Sequence, residues 1–228
     1  MNPTWQHLRR VAPILLVLGV AGCSGLLHSN APPVQVYTLR PGAASAGGTA
    51  DSSHPAMVVS LRVGHPLAGP GLGSSQIVLL QPDHRMNVYA ASAWSADVPA
   101  LVESLAAQTL RASGDWRSVE DNESPFPSDY LLQISISRFD ADYSAGTGVP
   151  PTIHVTLDCT LGTEDGRTIL ATFAADGSAA AGANKLSEVV AAFQQATDQA
   201  LGSMSSQAIA AVSATGVQRA KGRSLRPR

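Results

Sequence analysis

The pattern of apolar and polar residues predicts most of the regular structure in this chain, and it is clearest in one segment that alternates strictly. From Thr152 to Leu161 every odd position is apolar and every even position is polar. A period of two places successive side chains on opposite faces of a β-strand, so this segment is a strand with one face in the core. Similar or shorter apolar runs predict further strands at residues 34–39, 57–63, 76–80, 86–89, 116–120, 130–143 and 167–175.

The connections between these strands are also marked in the sequence. The strand 130–143 changes phase at Phe139, which leaves the face shared by the apolar residues before it. A β-bulge, or the emergence of the strand from the sheet, would explain such a change. Asp165-Gly166 predicts a hairpin turn between two neighbouring strands. The Gly- and Pro-rich residues 64–73 and the small residues 177–183 predict loops.

Two stretches with a 3.6-residue period predict α-helices. The first begins after Asp97 as the N-cap, tolerates Pro99 in its first turn and stops at Gly114. The second follows Asn184, a candidate cap, and keeps one apolar stripe over residues 186–212. The chain is therefore predicted to be an α+β protein, with a mixed, mainly antiparallel β-sheet covered by two α-helices.

Residues 1–22 have the composition of a secretory signal peptide. Arg9 and Arg10 precede an apolar stretch of roughly ten residues, and the small residues Ala21 and Gly22 follow it. A membrane-spanning helix needs about 20 apolar residues, so this segment is too short to remain as an anchor. We expect it to be removed.

Cys23 is the predicted lipidation site. Val20-Ala21-Gly22-Cys23 resembles the bacterial lipobox, which places acyl chains on the sulfur and on the new amino group of the cysteine. Each buried CH₂ contributes about 0.8 kcal/mol, so two or three chains hold a protein on a bilayer. Ser24 in place of an aspartate indicates sorting to the outer membrane, on its periplasmic face. A plain secretory signal with an incidental cysteine and a short uncleaved anchor are the alternatives.

The mature chain divides into a lipidated tether at 23–33, a domain at 34–214 and a basic tail at 215–228, which we expect to be disordered. Without the signal and the tail, the chain contains 8 basic and 17 acidic residues. This acidic balance argues against nucleic acid as a partner. The tail could contact anionic lipid or peptidoglycan, or it is a solvated terminus; its basic residues are Arg219, Lys221, Arg223, Arg226 and Arg228.

The sequence shows no arrangement of residues that is typical of an enzyme, a cofactor site or a metal site. It holds no HExxH, no GxSxG elbow and no P-loop lysine. His154 and Asp158 share a strand face but lie about 13 Å apart along it. Asp140 and Asp142 supply too few of the roughly six oxygens that calcium needs. Cys159 falls on the apolar face of its strand and is predicted to be an inert buried thiol.

Several segments follow one another in an order that is typical of one lipoprotein family. They are the lipobox, Tyr37-Thr38-Leu39, residues 75–78, residues 88–96 with Trp94, the long strand from Tyr130 to Asp140 with Arg138-Phe139, and the Ala-rich helix 189–209. On these segments the chain resembles the ABC-type transport auxiliary lipoproteins, the PqiC-like family. It departs from the family in an Ala/Gly/Ser insertion after the first strand and in Asp158-Cys159-Thr160, where members often carry a bulky residue.

The resemblance implies a non-catalytic role. Such lipoproteins work with an inner-membrane ABC permease and ATPase and with a periplasmic MCE-domain protein that carries lipids or other hydrophobic molecules across the envelope. Some members form rings, which implies a homo-oligomeric ring here. An adaptor or ring subunit of a secretion or envelope-assembly system and an envelope hydrolase are the alternatives. The loop at 64–73 is a candidate contact surface for a partner. Trp94 either contacts a partner too or packs the first helix against the sheet.

Overall fold

The computed structural model describes residues 33–42 and 57–224. Its helices are α1, Val98–Ser113, and α2, Leu186–Ser224. The strands within the described residues are β1 (Gln35–Tyr37), β2 (Met57–Val63), β3 (Leu67–Ala68), β4 (Gln76–Leu80), β5 (Met86–Trp94), β6 (Trp116–Glu120), β7 (Tyr130–Asp142), β8 (Thr152–Thr163) and β9 (Ile169–Ala180).

The long strand β7 organises the sheet. One of its edges pairs antiparallel with β8, from Tyr130 opposite Thr163 to Asp142 opposite Thr152. Its other edge pairs in turn with β2, β3 and β4, all of them parallel to it. Outside these, β9 pairs with β8, β6 with β2, β5 with β4, and β1 with β5. The sheet is therefore mixed, and its three longest strands are antiparallel, which confirms the predicted α+β class.

The predicted change of phase in β7 is a β-bulge. The pairing with β8 shifts between Ile136 and Arg138, so that Ile136 lies opposite Leu157 and Phe139 lies opposite Val155. The extra residue, Ser137, lets both Ile136 and Phe139 point into the core, where they are 0% and 1% exposed.

The two faces of the β7–β8–β9 region differ in chemistry. One face is apolar and buried beneath the helices, since α2 packs on β8 and β9 while α1 packs near β2, β3 and β6. The other face, which we call the open face, carries mostly polar side chains that are half-buried or exposed. Its polar residues include Gln133, Arg138, Asp142, His154, Thr156, Asp158, Asp176 and Ser178.

The prediction of a loop at 177–183 is wrong, because β9 continues to Ala180. A Cβ atom at Gly177 would lie 1.8 Å from the carbonyl oxygen of Ala196 in α2. The small residues of this segment therefore let the helix lie directly on the strand rather than forming a turn. Other bounds differ as well: the 64–73 segment contains β3, β5 extends past Tyr89 to Trp94, and β1 is shorter than the predicted 34–39.

The ends of α1 match the sequence pattern, whereas the predicted cap of α2 is wrong. Asp97 has extended φ/ψ before α1, although its side chain makes no capping hydrogen bond, and Gly114 ends the helix in the left-handed region with φ 72°. The side chain of Asn184 instead accepts a hydrogen bond from Tyr143 Oη and donates one to the carbonyl of Thr147.

Residues 38–42, which follow β1, lie against α2. The backbone N–H of Arg40 donates to Oε1 of Gln194 at 2.9 Å, and Nε2 of Gln194 donates to the carbonyl of Arg40 at 2.7 Å. Gly42 lies beside the carboxyl group of Asp198, one turn further along the helix. The first described segment and the last helix are thus joined by hydrogen bonds across 154 positions of sequence.

The backbone of α2 runs to Ser224, into the segment 215–228 that the sequence predicts as a separate tail. Among the residues of α2 up to 215, whose burial the structure describes, Val212 is the last in the buried core. The boundaries of the signal peptide, the tether and the tail stay predictions.

Candidate interaction surfaces

Trp94 belongs to the core and not to an interface. Only 2% of the residue is exposed. Its ring packs edge-to-face against Phe139 of β7 at 5.9 Å and against Phe193 of α2 at 5.1 Å between centroids. Of the two roles expected for Trp94, packing in the core is the one that the structure shows, and its aromatic contacts join the sheet to α2.

A chain of hydrogen-bonded side chains, with the buried Tyr143 at its centre, joins β5, the end of β7 and the start of α2. Tyr89 Oη lies 2.9 Å from Tyr143 Oη, which in turn donates to Oδ1 of Asn184 at 2.6 Å. Tyr89 is therefore the donor to Tyr143. Burial, together with this hydrogen bond, raises the pKa of the Tyr89 phenol well above its ordinary value. The chain is a structural connection, since each member is engaged by the next.

The open face brings His154 next to residues other than Asp158. The register places His154 between Asp140 on β7 and Ser178 on β9, while Asp158 accepts a hydrogen bond from Ser137. Within the described residues, no hydrogen bond joins the His154 ring to Asp140 or to Ser178. A nucleophile, a base and an orienting acid must be within hydrogen-bond reach of one another, and these side chains are not joined in that way.

Arg138 engages the acidic pair of the open face. Its guanidinium donates to both oxygens of Asp140, at 3.1 and 2.8 Å, and to Asp142 at 3.2 Å. The hydrogen bonds to Asp140 come first among the causes that raise the pKa of Arg138. Among the residues that the structure describes, no three His, Cys, Asp or Glu side chains are grouped so that they could hold a metal ion.

Arg62 fixes the loop between β6 and β7, residues 121–129. It lies on the open-face side of β2, and its side chain is only 12% exposed. Nη1 donates to the carbonyls of Asp121 at 3.0 Å and Ser124 at 2.9 Å, and Nη2 donates to the carbonyl of Phe126. Nε donates to Oε1 of Glu164 in the β8–β9 hairpin at 2.8 Å. One guanidinium thus joins β2, the 121–129 loop and the hairpin.

Asp129 fixes the far end of the same loop. Its Oδ2 accepts hydrogen bonds from the backbone N–H and the hydroxyl of Ser60, at 2.8 and 2.9 Å. The same oxygen forms an ion pair with Arg117 at 3.1 Å. The backbone hydrogen bond from Ser60 is the largest cause that lowers the pKa of Asp129. Sequence analysis missed this cluster; its one signal is Arg62, the single charged residue within residues 57–63.

A polar groove with a volume of about 520 Å³ runs between α1 and the start of the 121–129 loop. Nδ1 of His65 lies 2.7 Å from Oε2 of Glu103, and Oε1 of Glu103 accepts a hydrogen bond from the backbone N–H of Asn122 at 3.3 Å. These contacts hold the β2–β3 connection, α1 and the loop together. Of the predicted interface residues 64–73, His65 is the one that lines this groove.

The comparisons with known proteins agree with this fold. A family model described as "ABC-type transport auxiliary lipoprotein component" matches residues 37–205. The chain belongs to this family. The match confirms the resemblance to the auxiliary lipoproteins that the sequence indicated.

Two solved structures share its fold. Protein XCC0632 from Xanthomonas campestris is 21% identical, with a TM-score of 0.64 over 83% of this chain and 97% of that one. An uncharacterized protein is 13% identical, with a TM-score of 0.58 over 77% of this chain and 99% of that one. No curated protein matches the chain significantly.

The predicted lipidation site, Cys23, lies outside the described residues of the auxiliary lipoprotein. Neither α1 nor α2, nor any other described part, provides a helix both long and apolar enough to span a bilayer.

Cys159 is confirmed as a buried thiol. Its side chain lies in the core between β7 and β9, opposite Ile134 and Phe173. Burial, followed by the nearby charge of Asp158, raises the pKa of the Cys159 thiol to about 12. Since the thiolate is the reactive form, the thiol is protected in the folded protein both by burial and by its protonation.

We therefore expect Cys159 to resist an aromatic disulfide reagent at pH 8 and to react once guanidinium unfolds the chain. The Cys23→Ser variant, which leaves one cysteine, gives the cleanest titration. Because the pKa is raised on folding, this thiol's contribution to stability is complete below its unfolded value near 8.5 and declines as pH rises toward 12. Stoichiometric labelling of the native protein within minutes at pH 8 would contradict this assignment.

Proposed function

We propose that this auxiliary lipoprotein is a non-catalytic accessory of an MCE-type ABC transport system. In this proposal Cys23 anchors it to the periplasmic face of the outer membrane, where it docks the components that move lipids or other hydrophobic molecules across the envelope. The observation that carries the proposal is the family match over residues 37–205, placed directly behind a lipobox.

The chemistry of the domain supports a docking role rather than catalysis. The charged side chains of the open face and of the Arg62 cluster are engaged with one another, as Arg138 with two aspartates and Arg62 with Glu164 show. The envelope-hydrolase alternative would need His154 to be paired with an acid and a nucleophile, and no described hydrogen bond provides that pairing.

The position of the domain behind its anchor favours work close to the membrane. Residues 23–33 reach at most about 35 Å when fully extended. The first strand, β1, begins at Gln35, and the residues after it are bonded to α2. A docked partner therefore has to come near the bilayer surface. We further propose that several copies assemble around the point of docking.

Replacing Cys23 with serine tests the anchor. We expect Cys23→Ser to lose incorporation of an alkyne-labelled palmitate and to leave the outer-membrane fraction, because no other residue of the tether can take a thioether-linked lipid. Cys159→Ala is the matched control and keeps both label and location, since its thiol is buried in the core. Equal labelling of wild type and Cys23→Ser would remove the anchor from the proposal.

Crosslinking of intact envelopes tests the transport partner. We expect an MCE-domain protein to be recovered with the wild-type lipoprotein and to be lost with Cys23→Ser, which no longer lies at the membrane. Recovery of secretion or assembly subunits in place of any MCE-domain protein would favour the adaptor alternative and overturn the proposed system.

A further inference from the structure

The sheet has two ends, each marked by a row of residues that lie opposite one another on neighbouring strands. The first row crosses β5, β4, β7, β8 and β9, and we call it the tether end; it consists of Met86, Leu80, Asp142, Thr152 and Ala180. The second row crosses β9, β8, β7, β2 and β6, and we call it the hairpin end; it consists of Ile169, Gly162, Leu131, Arg62 and Glu120. The two rows lie roughly 35 Å apart along β7, at about 3.3 Å per residue.

The tether end takes its name from the direction of β1. This strand pairs with β5 in parallel, with Gln35 opposite Ser92 and Val36 opposite Ala93. Going backwards along β1 therefore leads towards the start of β5, which lies at the tether end. Because Val34 directly precedes β1, the tether at 23–33 joins the domain from this side. A tether that spans at most about 35 Å brings this side to the bilayer before the hairpin end.

One corner of the tether end exposes apolar side chains. Val34 and Val36 are 60% and 65% exposed, and Met86 is 52% exposed. Val34 and Val36 lie on the side of β1 that faces away from the buried Trp94, and Met86 shares its row with Asp142 of the open face. The three side chains therefore lie on the same side of the two neighbouring strands β1 and β5. We call this surface the lipid corner.

The sequence of the lipid corner contains no ionic side chain. Residues 31–39 and 86–96, which include β1 and β5, hold no Asp, Glu, Lys, Arg or His. Arg85, in the adjoining β4–β5 turn, is paired with Asp83. The hairpin end, in contrast, carries several ion pairs, those of Arg62, Arg117 and Arg167. Apolar side chains favour entry into a lipid interface and charged ones oppose it, so the chemistry of the lipid corner suits lipid and that of the hairpin end does not.

A strand from a second copy is less suited to the lipid corner. β1 lies at an edge of the sheet, but it has only three residues. A strand that added to it would form few backbone hydrogen bonds, and very short edge strands oppose such pairing. A bilayer surface requires no such register, and the tether already brings the lipid corner to it.

We propose that the lipid corner rests on the phospholipid bilayer, with Val34, Val36 and Met86 in the interface. This inference rests on the proposed Cys23 anchor and adds an orientation of the domain. Apolar faces of this kind enter roughly 5–10 Å into the boundary between headgroups and acyl chains. The hairpin end, with the Arg62 cluster and the exposed Phe126, then points away from the bilayer and is open to a periplasmic partner.

Fluorescence quenching by lipid tests this orientation. Single cysteines replace Val34, Met86 or Ile169 in the full-length lipidated protein carrying Cys159→Ala, and each is labelled with nitrobenzoxadiazole. The protein is reconstituted into vesicles of phosphatidylethanolamine and phosphatidylglycerol that contain nitroxide-labelled lipid. We expect labels at Val34 and Met86 to be quenched about threefold more than a label at Ile169, which is similarly exposed but lies at the hairpin end. Flotation of the same samples reports whether the anchor holds.

Charged substitutions sharpen the test. Val36→Asp with Met86→Asp should reduce the quenching of a label at Val34 to the level seen at Ile169, because burying a charge in the interface is costly. The matched pair at the hairpin end, Val58→Asp with Phe126→Asp, also replaces two exposed apolar residues and should leave that quenching unchanged.

The possible outcomes separate the orientation from the anchor. Equal quenching at both ends, or stronger quenching at Ile169, in vesicles that carry the protein through flotation would overturn the orientation and leave the anchor standing. A blue-shifted label at Val34 that the nitroxide lipid does not quench would show that protein covers the lipid corner, which overturns the lipid contact. Loss of flotation removes the Cys23 anchor and the orientation together, while the MCE crosslinking experiment still judges the transport role.

Discussion

Replacing Gly177 with alanine is expected to destabilise the domain by about 3 kcal/mol and to lower its Tm by about 6–12 °C. The new Cβ would lie 1.8 Å from the carbonyl oxygen of Ala196 and 2.9 Å from the backbone nitrogen of Ala200. Both atoms belong to the backbone of α2, so no change of rotamer relieves the overlap. The helix has to move away from β9, and the contacts of Phe193 with Trp94 and Phe139 loosen with it. Thermal unfolding followed by circular dichroism measures the effect.

Gly202→Ala is the matched control for that substitution. Gly202 lies in α2, the helix that packs on Gly177, and a Cβ atom at Gly202 would meet nothing within 4 Å. Alanine is favoured over glycine in a helix by about 1 kcal/mol, so this variant should be as stable as wild type or more stable. If Gly177→Ala unfolds at the same temperature as wild type, the close packing of α2 on β9 is wrong.

Replacing Arg62 with methionine is expected to cost about 3 kcal/mol, because it leaves three carbonyls of the 121–129 loop and the carboxylate of Glu164 without their donor. Arg62→Lys should rescue little of this loss, since an ammonium group cannot reach four acceptors that a planar guanidinium bonds together. Urea unfolding gives the stability. Amide hydrogen exchange should show faster exchange confined to the loop and the β8–β9 hairpin in the folded variant.

Arg85→Met provides the comparison. Arg85 forms an ion pair with Asp83 in the β4–β5 turn, but its side chain is 74% exposed, so its loss should change stability by less than about 0.5 kcal/mol. Equal stabilities of Arg62→Met and Arg85→Met would show that the Arg62 cluster contributes no more than an ordinary surface pair.

Local patterns in the sequence were sufficient for much of the fold. The strands at 57–63, 76–80 and 116–120 have the predicted bounds, and the bulge before Phe139 follows from a break in the period of two. The burial of Cys159 follows from the face it shares with Leu157 and Leu161. Each of these features depends on neighbours within a few residues, which is what periodicity reports.

The features that were missed depend on contacts between distant residues. Gly177 looks like part of a loop until α2 is placed on it. Arg62 is bonded to residues 59 to 102 positions away, which no local pattern reports. Asn184 is a good capping residue by type, but a buried tyrosine hydroxyl competes for its side chain. For Trp94 the expected core packing is right, but its partners Phe139 and Phe193, 45 and 99 positions away, could not be read from local sequence.

The hydrogen bonds between Arg40 and Gln194 have a consequence for the order of folding. The segment after β1 is hydrogen-bonded to Gln194, which is synthesised 154 residues after Arg40. Forming this contact requires nearly all of the chain, and contacts of such long sequence separation form slowly. The start of the domain therefore stays unfastened until α2 has been synthesised. For the exported lipoprotein that we propose, such a delay would keep the chain unfolded while it crosses the inner membrane.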